Sequence, residues 1–179
     1  MSERTDRFEA ATLPHLSAAY NLARWLLHDG DKAEDAVQEA YLKAFRYFES
    51  LRDGDARPWL LGIVRNCCFT WLRARRQTGT QVEWCEEMDG DDGNDGLTTM
   101  TGNPEQTLMR KQDAERIDKA IEALPPLFRE VVVLREIEDL SYEQIASVVE
   151  VPVGTVMSRL SRARALLRDK LAVPMRRTG

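Results

Sequence analysis

Leu140–Leu171, LSYEQIASVVEVPVGTVMSRLSRARALLRDKL, decides how the chain is read. It spells two helices around a tight turn. Ser141 is placed to N-cap the first, and Gln144 three residues on can close a capping box. Tyr142, Ile145, Ala146 and Val149 then recur at helical spacing as one apolar stripe. Glu150, Val151 and Pro152 interrupt it, because proline disfavours helix at the preceding residue and suits an early helical position itself. In the second helix Val156, Leu160, Ala163, Leu166 and Leu167 face inward. Its other face carries Thr155, Ser158, Arg159, Ser161, Arg162 and Arg164, with Arg168 and Lys170 further on. This is a helix-turn-helix with a basic, hydroxyl-rich second helix. Arginines suit phosphates and guanine edges, and short hydroxyls suit phosphates and close base contacts. Basic residues near a helix C-terminus also complement its dipole, but these begin early and no acid appears before Asp169.

At 179 residues the chain suits one domain or two small ones. No apolar run is long enough to span a bilayer, and the polar start MSERTDRFEA does not read as a signal peptide, so a cytoplasmic protein is expected. The three cysteines are an odd number, and Cys67 adjoins Cys68, which argues against a disulfide framework. Both read as small core residues. His15, His28 and Cys85 show no metal-ligand spacing, and no cofactor is expected. The net charge of −5 looks wrong for a DNA binder until it is located. Glu83, Glu86, Glu87, Asp89, Asp91, Asp92 and Asp95 lie in a stretch without Lys or Arg, leaving +2 on the rest.

Upstream, helical periodicity runs from about Asp6 to Leu27, with Phe8, Leu16, Tyr20, Ala23 and Leu27 as expected core. Pro14 makes this two short helices or one kinked one. After a turn at 28–31, with Asp31 as expected N-cap, a helix from Lys32 to about Phe48 carries the clearest stripe in the chain. Its members are Ala33, Ala36, Val37, Ala40, Tyr41, Ala44, Phe45 and Phe48. The opposite face shows Asp35, Gln38, Glu39, Leu42, Lys43 and Arg46. From spacing alone, a solvated face with Glu39 and Lys43 paired across one turn is the simpler reading. Ser50 to Ala56 is a loop. The helix from about Arg57 to Arg76 has Leu60, Ile63, Val64, Cys67, Trp71 and Leu72 as candidate core. Arg57, Arg65, Asn66, Thr70, Arg73, Arg75 and Arg76 lie outside, with no acid. Cations interleaved with Trp59, Phe69 and Trp71 suit single-stranded nucleic acid. For Trp59 and Trp71, a role as core anchors is the simpler alternative.

Residues 77–103 are acidic and aperiodic, and read as a flexible linker, with room for a short helix around Val82 to Met88. Asn103, Pro104 and Glu105 open a second helical domain as N-cap, Pro at N1 and first-turn acid. Leu108, Ile117, Ala120, Ile121 and Leu124 are expected to face inward. Pro125 and Pro126 start a short helix to about Ile137 on which Phe128, Val131, Val132 and Leu134 are apolar. Arg129 and Arg135 are expected on its outer side, available to phosphate.

Taken in order, these pieces resemble an extracytoplasmic-function sigma factor, a minimal sigma-70-type subunit of bacterial RNA polymerase, over essentially the whole chain. AEDAVQEAYLKAFR (33–46) is similar to the family's region 2.2, residues 57–76 to regions 2.3 and 2.4, and residues 123–167 to region 4. The resemblance implies an all-α fold of two small helical domains, region 2 over 1–76 and region 4 over 104–179, joined by the acidic linker. It implies a non-enzymatic subunit that binds core RNA polymerase, through the β′ clamp helices and the β flap, and directs it to promoter DNA. Carried over by motif position, Asp35, Gln38, Glu39 and Leu42 become the polymerase-binding face. Arg57, Arg65, Asn66, Thr70 and Arg73 become candidates for melting and holding the −10 element, with a flipped base read by the loop 50–57. Thr155, Ser158, Ser161 and Arg162 point to −35 bases, and Arg159 and Arg164 to phosphates. The family further implies control by an anti-sigma factor, and the lack of a long apolar run leads to the expectation of no membrane insertion. Met157 departs from the pattern, standing where many members have a basic residue. The Asp-rich loop RDGDA transfers no particular −10 base preference.

Two other readings compete. A decoy that sequesters an anti-sigma factor would be expected to have lost the basic residues of both DNA faces, which this chain keeps. A stand-alone helix-turn-helix regulator leaves the stripe 33–48 and the Trp-rich basic helix unexplained. No paired carboxylates, nucleophile triad or phosphate loop suggests an enzyme.

Overall fold

The computed structural model describes residues 2–52, 54–77 and 104–172. The linker 78–103, with its seven acids, Cys85 and the short helix read there, lies outside the described residues, as do the expected cap Asn103 and the tail 173–179. Every regular element among the described residues is helical: α1 Glu3–Thr12, α2 Leu16–Leu27, α3 Gly30–Arg46 and α4 Ala56–Gln77, then α5 Pro104–Glu122, α6 Pro126–Val132, α7 Tyr142–Val149 and α8 Val153–Ala172.

Pro14 separates α1 from α2 through a 3-10 turn, Leu13–His15, so the first periodic stretch is two helices. Asp29 rather than Asp31 caps α3, its carboxylate accepting from the amides of Asp31 and Lys32. The helix therefore begins on Gly30, with Asp31 in its first turn, where a negative charge suits the positive end of the dipole. The apolar stripe of α3 packs as its spacing demands. Ala33, Ala36, Val37 and Ala40 meet Ala19, Leu22, Ala23 and Leu26 of α2, and Leu61, Val64, Cys67 and Cys68 of α4. The alanines let the three helix backbones approach closely. A second cluster gathers Phe8, Ala44, Phe48 and Leu60, where Phe8 meets Phe45 and Phe48 edge-to-face at 5.2 and 5.4 Å. Leu16, expected inside, is 44% exposed. Leu22 and Leu26 take its place, because α2 turns its 19-22-23-26 face to the bundle.

In the second half, Ile121 of α5 and Leu124 just past it pack with Val131–Leu134, Leu140, Ile145, Val148, Val149, Val156, Leu160 and Ala163. Leu108 and Ile117, read as inward, stand out at 58% and 46% exposure, since only the C-terminal end of α5 reaches this core. The chain widens into a π-helical turn, Val133–Ile137, after α6 and leaves it through Asp139 at φ 55°. The capping box on α7 is present in both arms. The Gln144 amide donates to Ser141 Oγ at 3.1 Å, and the Ser141 amide to Gln144 Oε1 at 2.9 Å. Ser141→Ala removes one arm and is expected to cost about 1 kcal/mol, read as a lower urea midpoint for the full chain. Glu150, in the left-handed conformation at φ 57°, ends α7 and makes the sharp turn into α8.

The buried residues of the two halves run together without a break. Leu61 and Val64 of α4 continue into Val148 of α7, and α6 lies against α2. The two helical domains are packed face to face.

Candidate nucleic-acid and polymerase interfaces

Three surfaces carry the residues read as functional. On α3, Asp35, Gln38 and Leu42 are exposed and spaced i, i+3, i+7, along about 10 Å of one face. Leu42 is the most open of the large apolar side chains among the described residues, 69% exposed. Glu39 sits beside them with its carboxylate 2.8 Å from Lys43 Nζ, the pair expected from spacing. That lysine also lies 3.8 Å from Cys67 Sγ. Cys67 and Cys68 are free and buried, as their core reading requires. Burial, with a small contribution from its neighbour, pushes the Cys68 thiol up to about 12, far from the thiolate a redox switch needs.

On α4, Asn66, Thr70 and Arg73 share one exposed face at i, i+4, i+7. The Thr70 hydroxyl donates back to the Asn66 carbonyl at 2.9 Å. Arg57 and Arg65 are engaged elsewhere. Arg65 grips Glu130 of α6 with two parallel bonds, Nε to Oε2 at 2.8 Å and Nη2 to Oε1 at 3.1 Å. Its guanidinium also stacks 4.1 Å from the Phe69 ring centroid. Phe69 is itself buried beneath it, and so is not the base-stacking surface the sequence suggested. Trp59 and Trp71 are partly buried against the two clusters, as anchors. Arg57 donates to the Glu138 carbonyl and lies 3.3 Å from its carboxylate. Asp55 caps the start of α4 by accepting from the Arg57 amide, and its other oxygen accepts from Gln144 Nε2 at 3.0 Å.

On α8 the structure divides the six candidates. Thr155, Ser158, Arg159 and Arg162 share one flank and, with Pro125, Leu127 and Phe128, line a cleft of about 350 Å³. Ser158 donates to the Gly154 carbonyl at 3.0 Å. Arg159 Nη1 lies 3.8 Å from Glu130 Oε1. Ser161 and Arg164 belong to the neighbouring groove, with Tyr142, Met157, Leu160 and Leu167. Arg164 is roughly half a turn around α8 from Thr155. It pairs at 2.8 Å with Glu136.

The reading of Arg129 as an outward phosphate contact is overturned. Arg129 is 6% exposed and donates to the Trp25, Leu26 and Leu124 carbonyls at 3.0, 3.4 and 2.8 Å. Arg135 is likewise occupied, donating to the Leu140 carbonyl at 2.8 Å and stacking on Tyr142. What sequence reasoning missed is the polar seam itself: Arg129, Glu130 and Glu138. A signal was present, since Arg129 and Glu130 lie inside the otherwise apolar run LFREVVVL. Among the described residues no group of His, Cys, Asp and Glu is placed to hold a metal ion, and no helix is long and apolar enough to cross a membrane.

Residues 13–78 match the sigma-70 region 2 family and residues 114–167 the sigma-70 region 4 family. The ECF RNA polymerase sigma-E factor of Escherichia coli K12 is 36% identical over 80% of this chain and 75% of its own length. The chain belongs to the ECF sigma factors. The RNA polymerase sigma-H factor of Pseudomonas aeruginosa is 34% identical over 95% of this chain and 88% of its own length. Among solved structures, the Bartonella quintana sigma factor RpoE, in complex with the anti-sigma factor NepR, superposes with a TM-score of 0.71. It is 27% identical and covers 93% of this chain and 98% of its own. The family acts in transcription initiation and is not an enzyme family. The α3 face and the exposed part of α4 thus fall in the region 2 match, and the Thr155–Arg162 flank in the region 4 match.

Proposed function

We propose that this sigma factor binds core RNA polymerase through Asp35, Gln38 and Leu42 of α3, with Glu39 in support, against the β′ clamp helices. Its second domain meets the β flap. Residues 1–76 act as the −10 domain and 104–179 as the −35 domain, with 77–103 as the connection. Thr155, Ser158 and Arg162 read −35 base edges with Arg159 on phosphate, while Ser161 serves the rim of the same contact and Arg164, on the far side of α8 in its pair with Glu136, stays out of it. Asn66, Thr70 and Arg73 of α4, joined by Arg57 and Arg65, hold the melted −10 strand, and the loop before α4 takes the flipped base. The protein works in the cytoplasm with the polymerase, and an anti-sigma factor controls it, a reading supported by the anti-sigma complex of its structural relative. The observation that carries the proposal is the flank of α8. Two hydroxyls and two arginines are gathered on one side of a helix-turn-helix second helix, the mixture that direct readout needs.

Abortive initiation with core polymerase, on templates drawn from the region upstream of the gene and from a promoter pool, tests this. The wild-type chain yields product. Arg162→Ala lowers the yield about 10- to 100-fold, the range for one good base or phosphate contact. The double change Asp35→Ala, Gln38→Ala lowers it through weaker polymerase binding. A chain that neither binds polymerase nor supports initiation overturns the proposal.

A further inference from the structure

Gly30, Gly54 and Gly62 each have a neighbour that an added Cβ would meet within 4 Å: the Tyr20 hydroxyl, the Arg52 carbonyl and the Val148 backbone. Gly154 has none, for a Cβ built there would meet nothing within 4 Å. It is exposed, stands in the first turn of α8, and its backbone is not left-handed. Alanine would fit the free chain at this position and is the better helix former. No contact among the described residues asks for a glycine there.

Gly154 heads the row that continues at i+4 and i+8 through Ser158 and Arg162. That row is proposed above to face the −35 base edges, with Thr155 beside it. Its side chains differ in reach. Arg162 is long enough to span a gap, whereas Thr155 and Ser158 are short. Ser158 is shortened further, because its hydroxyl bends back to donate to the Gly154 carbonyl at 3.0 Å. Hydroxyls this short meet base edges only when the first turn of the helix lies deep in the major groove. A Cβ at 154 points the same way and holds the backbone off, and a bare Cα is what close approach to another surface requires.

We propose that Gly154 is the seat on which the first turn of α8 rests against the −35 bases, letting Thr155 and Ser158 reach them. It is a positioning residue and makes no base-specific bond itself. This rests on the reading of the α8 flank as the −35 face.

The test uses the full chain assembled with core polymerase. Anisotropy reports binding of the fluorescein-labelled duplex that this holoenzyme enriches most from a randomised pool. Gly154→Ala is expected to lower affinity about tenfold, as for the loss of two neutral hydrogen bonds, and Gly154→Val further. The same Gly154→Ala chain should resist urea better, with a midpoint about a few tenths molar higher, and bind core polymerase unchanged. A fold role for the glycine predicts the opposite shift in urea. A double-mutant cycle then locates the effect. Ser158→Ala is expected to cost about threefold in the wild type and nothing on the Gly154→Ala background, where the lifted helix has already lost that contact. Arg162→Ala, removing a long side chain, should cost about as much on either background. The seat is overturned by a lowered urea midpoint, by a Ser158→Ala cost that stays additive, or by a Gly154→Ala chain that binds like wild type. In that last case a loss with Arg162→Ala leaves the −35 reading standing. If Arg162→Ala also binds like wild type, the −35 reading falls and the seat with it.

Discussion

Arg129→Met is expected to lower the stability of the full chain by about 3 kcal/mol, seen as a fall in the urea midpoint followed by circular dichroism. Three carbonyls accept from this one guanidinium: Trp25 and Leu26 at the C-terminal end of α2, and Leu124 just past α5. Charge-assisted bonds of this kind contribute about 1.5–3 kcal/mol each. Against them stands desolvation, which Glu122 only partly offsets and which brings the group from 12.5 down to about 10, a cost of about 3 kcal/mol. The bonds win, and methionine fills the volume while leaving all three carbonyls without this donor. The loss falls on both domains, because two of the carbonyls lie in one and the third in the other. An unchanged midpoint would show that packing, and not the guanidinium, joins α6 to α2.

Leu42→Asp is expected to do the opposite: leave stability alone and remove function. At 69% exposure the side chain contributes little to the fold, and surface changes of this kind stay within about 0.5 kcal/mol. In the proposed polymerase contact the same leucine is desolvated one turn beyond Gln38, where an apolar anchor is worth about 2 kcal/mol or more. Affinity for core polymerase, measured with immobilised core enzyme, should therefore fall about 30-fold or further, with the urea midpoint unmoved. Equal affinity for wild type and variant would move the polymerase contact off this face of α3.

How far the fold was legible follows from the range of the forces involved. The α3 stripe, the capping box of Ser141 and Gln144, and the break at Pro14 are all local. Periodicity and backbone hydrogen bonding within a few residues settle them, so they read correctly from the chain alone. The cap on α3 was placed two residues late because Asp29 and Asp31 are chemically alike, and only the backbone tells which carboxylate meets the free amides. Leu108 and Ile117 were read inward because their spacing is helical and apolar, yet spacing does not say how much of a helix its domain is wide enough to cover.

The arginines divide along the same line. That α4 and α8 are basic, and to which family the pattern belongs, were determined by the sequence by itself, since residue type and order suffice; the six α8 residues read as one face are divided between two grooves only by the packing. Which arginines stand free was decided only by the tertiary structure. Arg65 finds Glu130, and Arg57 finds Glu138, across 65 and 81 positions of chain. Arg129 was assigned to the outer side of α6, but its flank of that short helix is covered by α2 of the other domain. A charge in such a place takes whatever partner the packing brings, and no local pattern records it.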